Sequence, residues 1–393
     1  MNIAERLNKV KPSATLAMSA RAKAMKAEGK NIISLAAGEP DFDTPEHIKD
    51  AARKALVDGQ TKYTPVAGTP KLRACIADFA SKVYGTSIRP AQTMVCAGAK
   101  HALFNLCHAM LNPGDEAAVI APYWVSYPDM IHLQGAETKI IPTEASNNFT
   151  PKIETIEKVL SAKTKLLFIN SPNNPTGSVY PFEFYEALAD LLEQYPQCYV
   201  VSDDIYHGLC YQGAFTGIYH AAPNLRERIL LINGVSKTYA MTGWRIGFLI
   251  GPPDLIGAMS RIQGASTSGV CSIAQAAACA ALSGAQDKAQ DMHSHFRERR
   301  DLIFEGLGAL PQVSVVKPEG AFYIFPDFQD YLGGSLKTSI ELCEYLLEEA
   351  LVASVAGMGF GAEGFIRMSF ATSTDEIEEA LARIAKALKQ IQK

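Results

Sequence analysis

One run of this chain holds two cations that a largely apolar segment should not carry unpartnered. In "NGVSKTYAMTGWRIG", Asn233 to Gly247, Lys237 and Arg245 stand among small and apolar residues straight after a β-like stretch. Buried lysine and arginine need partners. A lysine whose amine is desolvated, or lies near another cation, forms Schiff bases with carbonyls. A guanidinium fork suits phosphate or carboxylate. Each residue taken alone also fits an ordinary surface turn, so the case for chemistry rests on what else converges there.

The elements that must position these groups alternate between short apolar runs and helical stretches. "TMVCAG" precedes "AKHALFNLCHAML", "EAAVIAP" precedes "YWVSYPDMIHLQG", and "KLLFIN" precedes "PFEFYEALADLLEQY"; "CYVVSDD", "RILLIN" and "RIGFLIG" follow. Apolar runs bounded by turn signals, with helices between them, predict an α/β fold whose mostly parallel sheet is covered on both faces. Ligands of such sheets sit beyond the carboxyl ends of the strands. That rule selects Gly98-Ala99-Lys100, Tyr123-Trp124, Ser171 to Gly177, Asp203 to Tyr206 and Gly234 to Lys237. Gly98 and Ala99 fall where a strand hands over to a helix, and free amides with the helix dipole favour phosphate there. Asp203 ends an apolar strand. Its carboxylate either caps a turn or pairs with a buried cation such as a protonated ring nitrogen, and Asp204 beside it competes for that role. Trp124 and Tyr206 fit either core or site. "SPNNPTG" is a turn by composition. Arg367, in "FIRMSF", is a partnered core charge or a carboxylate clamp.

Elsewhere the signals are structural. Thr44 offers an N-cap with Pro45 at the first helical position, and "PKLRACIADFASKVYG" repeats the Pro start and Gly stop. Residues 285–309 read as one long helix. "VSVVKPEGAFYIFPDF" reads as two strands around a turn, and the last segment as a strand and a helix capped at Ser373/Thr374. The expected organisation is an N-terminal arm with part of a small domain (1–44), a large domain (45–290) and a smaller α+β domain (291–393). The charged fraction of 20% and the net charge of −4 give no reason to expect nucleic acid or an anionic membrane as partner. No run of 18 apolar residues predicts a transmembrane helix. The N-terminus has no apolar leader, so an unprocessed, cytoplasmic protein is expected. The eight cysteines form no C-x-x-C pair and read as reduced core thiols. "HSH" at 293–295 reads as solvated surface, and no metal site is expected. Zincin, P-loop, nucleophile-elbow and dinucleotide-binding motifs are absent.

Taken together, the order of "AAGEPDF", "TKYTPVAG", "GAKHALFN", "APYWVSY", "NSPNNPTG", "SDDIYHGL", "NGVSKTYAMTGWRIG" and "GFIRMSF" resembles the fold-type I, pyridoxal-phosphate-dependent aminotransferases of class I/II, over almost the whole chain. The resemblance implies a seven-stranded, mostly parallel sheet with helices and a smaller α+β domain. It implies that Lys237 holds pyridoxal 5′-phosphate through its amine and later moves a proton. It implies that Asp203 pairs with the pyridine nitrogen, that Tyr206 and Asn174 bond the phenolic oxygen, and that Trp124 stacks on the ring. Arg245 and the amides around Gly98, Ala99 and Lys100 then hold the phosphate. Tyr63 is similar to the tyrosine that reaches the neighbouring subunit's phosphate, which implies a homodimer with shared sites. Arg367 matches the clamp on the substrate α-carboxylate, with the Gly38 amide nearby. One departure stands out. Many relatives carry a phosphate-binding serine three residues before the lysine; Gly234 is there instead, and Ser236 is not expected to replace it.

Within the family, the pattern is most similar to the bacterial-type aspartate aminotransferase branch. That likeness implies that Lys100, helped by Thr15 from the N-terminal arm, meets the distal carboxylate of aspartate or glutamate. A dicarboxylate needs a cation at each end, and Arg367 and Lys100 supply them. 2-Oxoglutarate is then the expected acceptor, with prephenate a second one. The alternatives are an aminotransferase for aromatic or other amino acids, a β-C–S lyase on the same scaffold, and a binding protein that keeps the fold without turnover.

Overall fold

In the computed structural model of the chain, residues 3–10 and 14–391 are described, without the side chains of residues 14–16 and 19. A short strand, β1 (Ile33–Ser34), comes first. Seven strands follow: β2 (Thr93–Cys96), β3 (Glu116–Ile120), β4 (Glu137–Ile141), β5 (Thr164–Asn170), β6 (Tyr199–Asp203), β7 (Ile229–Gly234) and β8 (Gly247–Ile250). They form one sheet in the order β2-β8-β7-β6-β5-β3-β4. Strand β8 runs antiparallel to both of its neighbours, and the other pairings are parallel.

The central strands are apolar without interruption because both faces are covered. Side chains alternate between faces along a strand. Leu167 and Ile169 of β5 therefore join one core, with the helices Glu46–Val57, Pro70–Val83, Phe182–Glu193 and Ser272–Ser283. Leu166 and Phe168 join the other, with the helices Ala99–Met110, Ser126–His132 and Pro253–Ser266. The loop between β7 and β8 leaves the sheet at the carboxyl end of β7, and it carries Lys237 and Arg245.

A third core is built mostly from the carboxyl-terminal part of the chain. It packs the helices Asp287–Gly308, Ser339–Glu349 and Thr374–Leu388 against β9 (Tyr323–Ile324), β10 (Val352–Ala353), β11 (Val355–Ala356) and β12 (Ile366–Ser369). Ile33 and Leu35 belong to the same core, and β1 pairs with β10. The strands β11, β12 and β9 make a small antiparallel sheet. Among the described residues, no helix is long and apolar enough to cross a membrane.

Several local expectations need correction. Thr44 does not cap the helix Glu46–Val57. Its hydroxyl donates to Ala240 O (2.7 Å) and accepts from Trp244 Nε1 (3.0 Å), so tertiary partners outcompete the helix amides. Thr69 and Ser373 do cap, accepting from the Leu72 and Glu376 amides. Of "VSVVKPEGAFYIFPDF" only Tyr323–Ile324 becomes a strand; Ser314 and Asp327 make an isolated bridge. The cysteines are not all reduced core thiols either. Cys75 and Cys279 form a disulfide, because the helices Pro70–Val83 and Ser272–Ser283 bring their Cα atoms to 5.7 Å. Cys271 is exposed.

Candidate active site

Lys237 sits on the loop after β7, at the floor of a cavity of about 470 Å³. Its amine donates to the Gly38 carbonyl and lies 5.6 Å from the Phe322 ring centroid and 6.0 Å from that of Tyr206. Burial pushes its pKa down to about 8; Glu39 opposes that shift, while Arg367 and Arg245 add to it. A desolvated lysine beside two arginines is a nucleophile near neutral pH.

Asp203, at the end of β6, faces the same cavity. It accepts a hydrogen bond from Tyr127 Oη (2.7 Å) and a long one from the Ile205 amide (3.4 Å). No lysine or arginine comes within 4.0 Å of it in the ion pairs of the described residues. Burial raises its pKa to about 6, partly offset by Tyr127. Asp204 turns the other way, to Tyr84 and Ser202, each at 2.7 Å. The carboxylate that lines the cavity is therefore Asp203.

Arg367, on β12, is buried beneath the cavity. Its Nη1 donates to Asn174 Oδ1 and its Nη2 to Ala36 O, both at 3.0 Å. Nε has no partner, and the guanidinium stacks 4.5 Å from the Tyr323 ring centroid. Burial lowers its pKa. A buried guanidinium held by two neutral oxygens, with no carboxylate, fits an incoming anion.

At the other end, Gly98 precedes the helix Ala99–Met110 at φ +90°. A Cβ there would lie 2.4 Å from Arg245 Nη2. A Cβ on Gly247 would lie 2.1 Å from the Ala99 nitrogen, so only glycine lets β8 run against the start of that helix. Arg245 adopts a left-handed conformation and donates to Thr242 O (3.0 Å) and Ala97 O (3.3 Å). Ser126 and Ser236 also line the cavity. Helix amides and a guanidinium make an anion cradle. Lys100 Nζ lies 4.7 Å above the Trp124 ring. Burial lowers its pKa, and Arg245 lowers it further.

The cavity thus gathers Gly38, Ala99, Lys100, Trp124, Asn174, Asp203, Tyr206, Lys237, Arg245 and Arg367 from segments far apart in sequence. Gly98 frames it through Arg245. Tyr63 is elsewhere, with its side chain fully exposed at 101%. The Thr15 side chain lies outside the described residues. Sequence reasoning missed Tyr127, Tyr323 (whose hydroxyl is 3.1 Å from that of Tyr206), Glu39, Ser126 and Asn170. Glu39, Ser126, Tyr127 and Asn170 stood inside the motifs AAGEPDF, APYWVSY and NSPNNPTG; Tyr323 carried no signal, because an aromatic in an apolar run reads as core. Ser236 also lines the cavity, although it was not expected as a ligand.

Comparison with known proteins agrees with this geometry. Residues 30–384 match the model of the family described as aminotransferase class I and II. The chain belongs to that family. An aspartate/prephenate aminotransferase of Nitrosomonas europaea is 43% identical over 99% of this chain and 100% of its own length. An aspartate aminotransferase of Geobacillus stearothermophilus is 44% identical over 98% of each chain. The crystal structure of the Rhizobium meliloti aspartate aminotransferase superposes with a TM-score of 0.96 at 42% identity, covering 100% of both chains. The Thermus thermophilus aspartate aminotransferase with maleate gives 0.93 at 42%, covering 98% of this chain and 100% of that one.

The cofactor of this aminotransferase is pyridoxal 5′-phosphate. The residues present fit it. The cradle at Gly98 and Arg245 suits its phosphate, the buried Asp203, in no ion pair, suits a protonated ring nitrogen, and the lowered pKa of Lys237 suits attack on its aldehyde.

Proposed function

We propose that this aminotransferase transfers the amino group of L-aspartate to 2-oxoglutarate by a ping-pong route, with prephenate as a second acceptor. The observation that carries this reading is the presence of two cations, Arg367 and Lys100, in the cavity that holds Lys237. Arg367, buried and without a carboxylate, and Lys100, over Trp124, line the cavity that holds the Lys237 amine. A dicarboxylate substrate satisfies both ends. The names of the relatives and the maleate bound to the Thermus thermophilus enzyme, itself a dicarboxylate, support the reading.

In this proposal Arg367 and the Gly38 amide hold the α-carboxylate, and Lys100 with Thr15 holds the distal one. Trp124 covers the cofactor ring, Tyr206 and Asn174 donate to its phenolic oxygen, and Asp203 keeps the ring nitrogen protonated. Gly98, Ala99, Lys100 and Arg245 hold the phosphate. The bound cofactor supplies a sink for the electron pair released at the substrate α-carbon. Lys237 takes the α-proton, and with a pKa of about 8 part of it is free base near neutral pH.

We further propose a homodimer in which Tyr63 serves the partner's phosphate. A second cavity, of about 710 Å³, opens between Arg245 and the loop Thr267 to Cys271. Thr64, next to Tyr63, donates to Val270 O of that loop (3.3 Å). The Tyr63 segment is thus tied to a loop that lines the cavity beside Arg245, which supports a shared site between two copies related by a two-fold axis. The division into 1–44, 45–290 and 291–393 is also retained as a proposal. It is supported by a core built mostly from the carboxyl-terminal segment, which takes in Ile33 and Leu35 and is joined by Ile205, Tyr206, Leu209 and Tyr211 of the large segment. For a cytoplasmic location, the six free cysteines count in favour and the Cys75–Cys279 disulfide against; cell fractionation tests it.

The first experiment is an absorbance spectrum of the holoenzyme before and after adding aspartate without an acceptor. The long-wavelength band of the bound cofactor is expected to move to shorter wavelength as oxaloacetate appears. An unchanged spectrum would remove aspartate as donor. Release of pyruvate and ammonia from cystathionine would favour the lyase instead.

A further inference from the structure

The segment that carries Tyr63 is held by two buried glutamines that the chemistry above does not use. Gln275, on the helix Ser272–Ser283, accepts from the Thr69 amide (2.8 Å). Its other end donates to Thr64 Oγ1 (3.0 Å) and Val270 O (2.7 Å). Gln263, on the helix Pro253–Ser266, donates to Val66 O (2.8 Å) and Val95 O (3.0 Å) and accepts from Asn105 Nδ2 (3.1 Å). Both side chains are essentially sealed from solvent, and Asn105 is as well. Gly269 lets the neighbouring loop close on this segment, since a Cβ there would lie 2.4 Å from Thr64 Oγ1. The polar groups of Thr64, Val66 and Thr69 are thus fixed from two helices, while Tyr63 beside them is fully exposed.

A rigid base under a bare aromatic side chain is built for presentation. Asn105 lies on the helix whose first residues form the anion cradle, and Val95 lies on β2, which leads into Gly98. Two buried amides therefore grip one segment: Gln263 ties Val66 to β2 and to the cradle's helix, and Gln275 ties Thr64 and Thr69, on either side of it, to the loop at Val270. We propose that Gln275 and Gln263 are positioning residues that act in trans, setting Tyr63 for the partner's phosphate site. This rests on the proposed dimer with shared sites.

The test uses hybrid dimers in which one chain carries Lys237→Ala, so that only the other chain's site holds cofactor covalently. Gln275→Met is placed on one chain or the other, and pyridoxal phosphate release from the intact site is followed by absorbance. With Gln275→Met on the Lys237→Ala chain, release from the intact site is expected to quicken on the order of tenfold, the scale of one lost hydrogen bond to a charged group. With Gln275→Met on the intact chain, release should stay near that of the control hybrid. Thr64→Val, a milder change, should repeat the pattern if Gln275→Met fails to fold. Tyr63→Phe in the same hybrids separates the two readings. Tyr63→Phe acting in trans while Gln275→Met and Thr64→Val act in cis, or not at all, overturns this inference and leaves the dimer reading intact. Tyr63→Phe acting only in cis overturns both.

Discussion

Asp203 and Lys237 are placed against their own stability. Folding buries the Asp203 carboxyl with no cation in ion-pair contact, Lys237 acting on it only at longer range, and raises its pKa from 3.8 to about 6. The folded state therefore binds that proton more tightly than the unfolded state does. Stability from this group falls as pH rises between those values and stays low above them. The cost at pH 7 is on the order of 3 kcal/mol before relaxation. Lys237 adds a cost of the same sense, present below its folded pKa of about 8 and relieved as pH rises from there to the ordinary lysine range. In cofactor-free enzyme, Asp203→Asn should raise the unfolding free energy by roughly 1–3 kcal/mol at pH 7, and the gain should vanish near pH 4. Denaturant titrations at the two pH values measure this; an equal gain at both would mean that the carboxyl is not held above its usual range. Lys100→Ala should lower kcat/KM for aspartate and glutamate on the order of a hundredfold, the loss of one charge-assisted contact. Alanine and phenylalanine should change little in the same assay, and an equal loss for all four amino acids would remove the distal-carboxylate role. At this scale the sequence left Asp203 and Asp204 as competitors. Adjacent strand residues point to opposite faces, but which face holds the ligand depends on the sheet as a whole.

Among elements, the meeting of β8 with the start of the helix Ala99–Met110 decides the anion cradle. At Gly98 the obstacle to a Cβ is a side chain, Arg245, which can swing; at Gly247 it is the backbone of Gly98 and Ala99, which cannot. Gly98→Ala should therefore speed cofactor release and cost stability of about 1–3 kcal/mol, because φ +90° with ψ 161° is a conformation that essentially only glycine adopts. Gly247→Ala should lower both cofactor retention and the apo-enzyme Tm. Equal Tm losses in the two variants would show that the cradle has slack in its backbone. The sheet itself was legible, since apolar strands bounded by turns and alternating with helices admit few arrangements. Partners from distant parts of the chain were not. Thr44 carries every sign of an N-cap, yet it bonds Ala240 and Trp244, some 200 residues on. Cys75 meets Cys279 across a separation of 204, which no local spacing rule can register. Two-residue strands such as β9 and β10 fall below the length at which periodicity is measurable.

Across the whole molecule, an exposed apolar face remains to be explained. Tyr63 is fully exposed, and Val57 and Leu56, on the preceding helix, are 87% and 53% exposed. Single exposed apolar residues are normal, but a fully exposed aromatic next to a segment fixed by two buried glutamines is a candidate contact. If Tyr63 completes the partner's phosphate site, each subunit's grip on its cofactor depends on the other. Dilution should then couple two events that a self-sufficient monomer would keep apart. As the holoenzyme is diluted through its dimer dissociation range, cofactor release should accelerate with the fraction of monomer. Tyr63→Phe should speed release at every concentration while leaving the sedimentation of the apo dimer nearly unchanged, because a single hydroxyl adds little to an interface of dimer size. Sedimentation velocity, paired with cofactor absorbance over the same dilution series, reads both quantities. A chain that sediments as a monomer with its cofactor retained would separate Tyr63 from the site. The exposed tyrosine and the two glutamines beneath it would then have to be explained by packing alone.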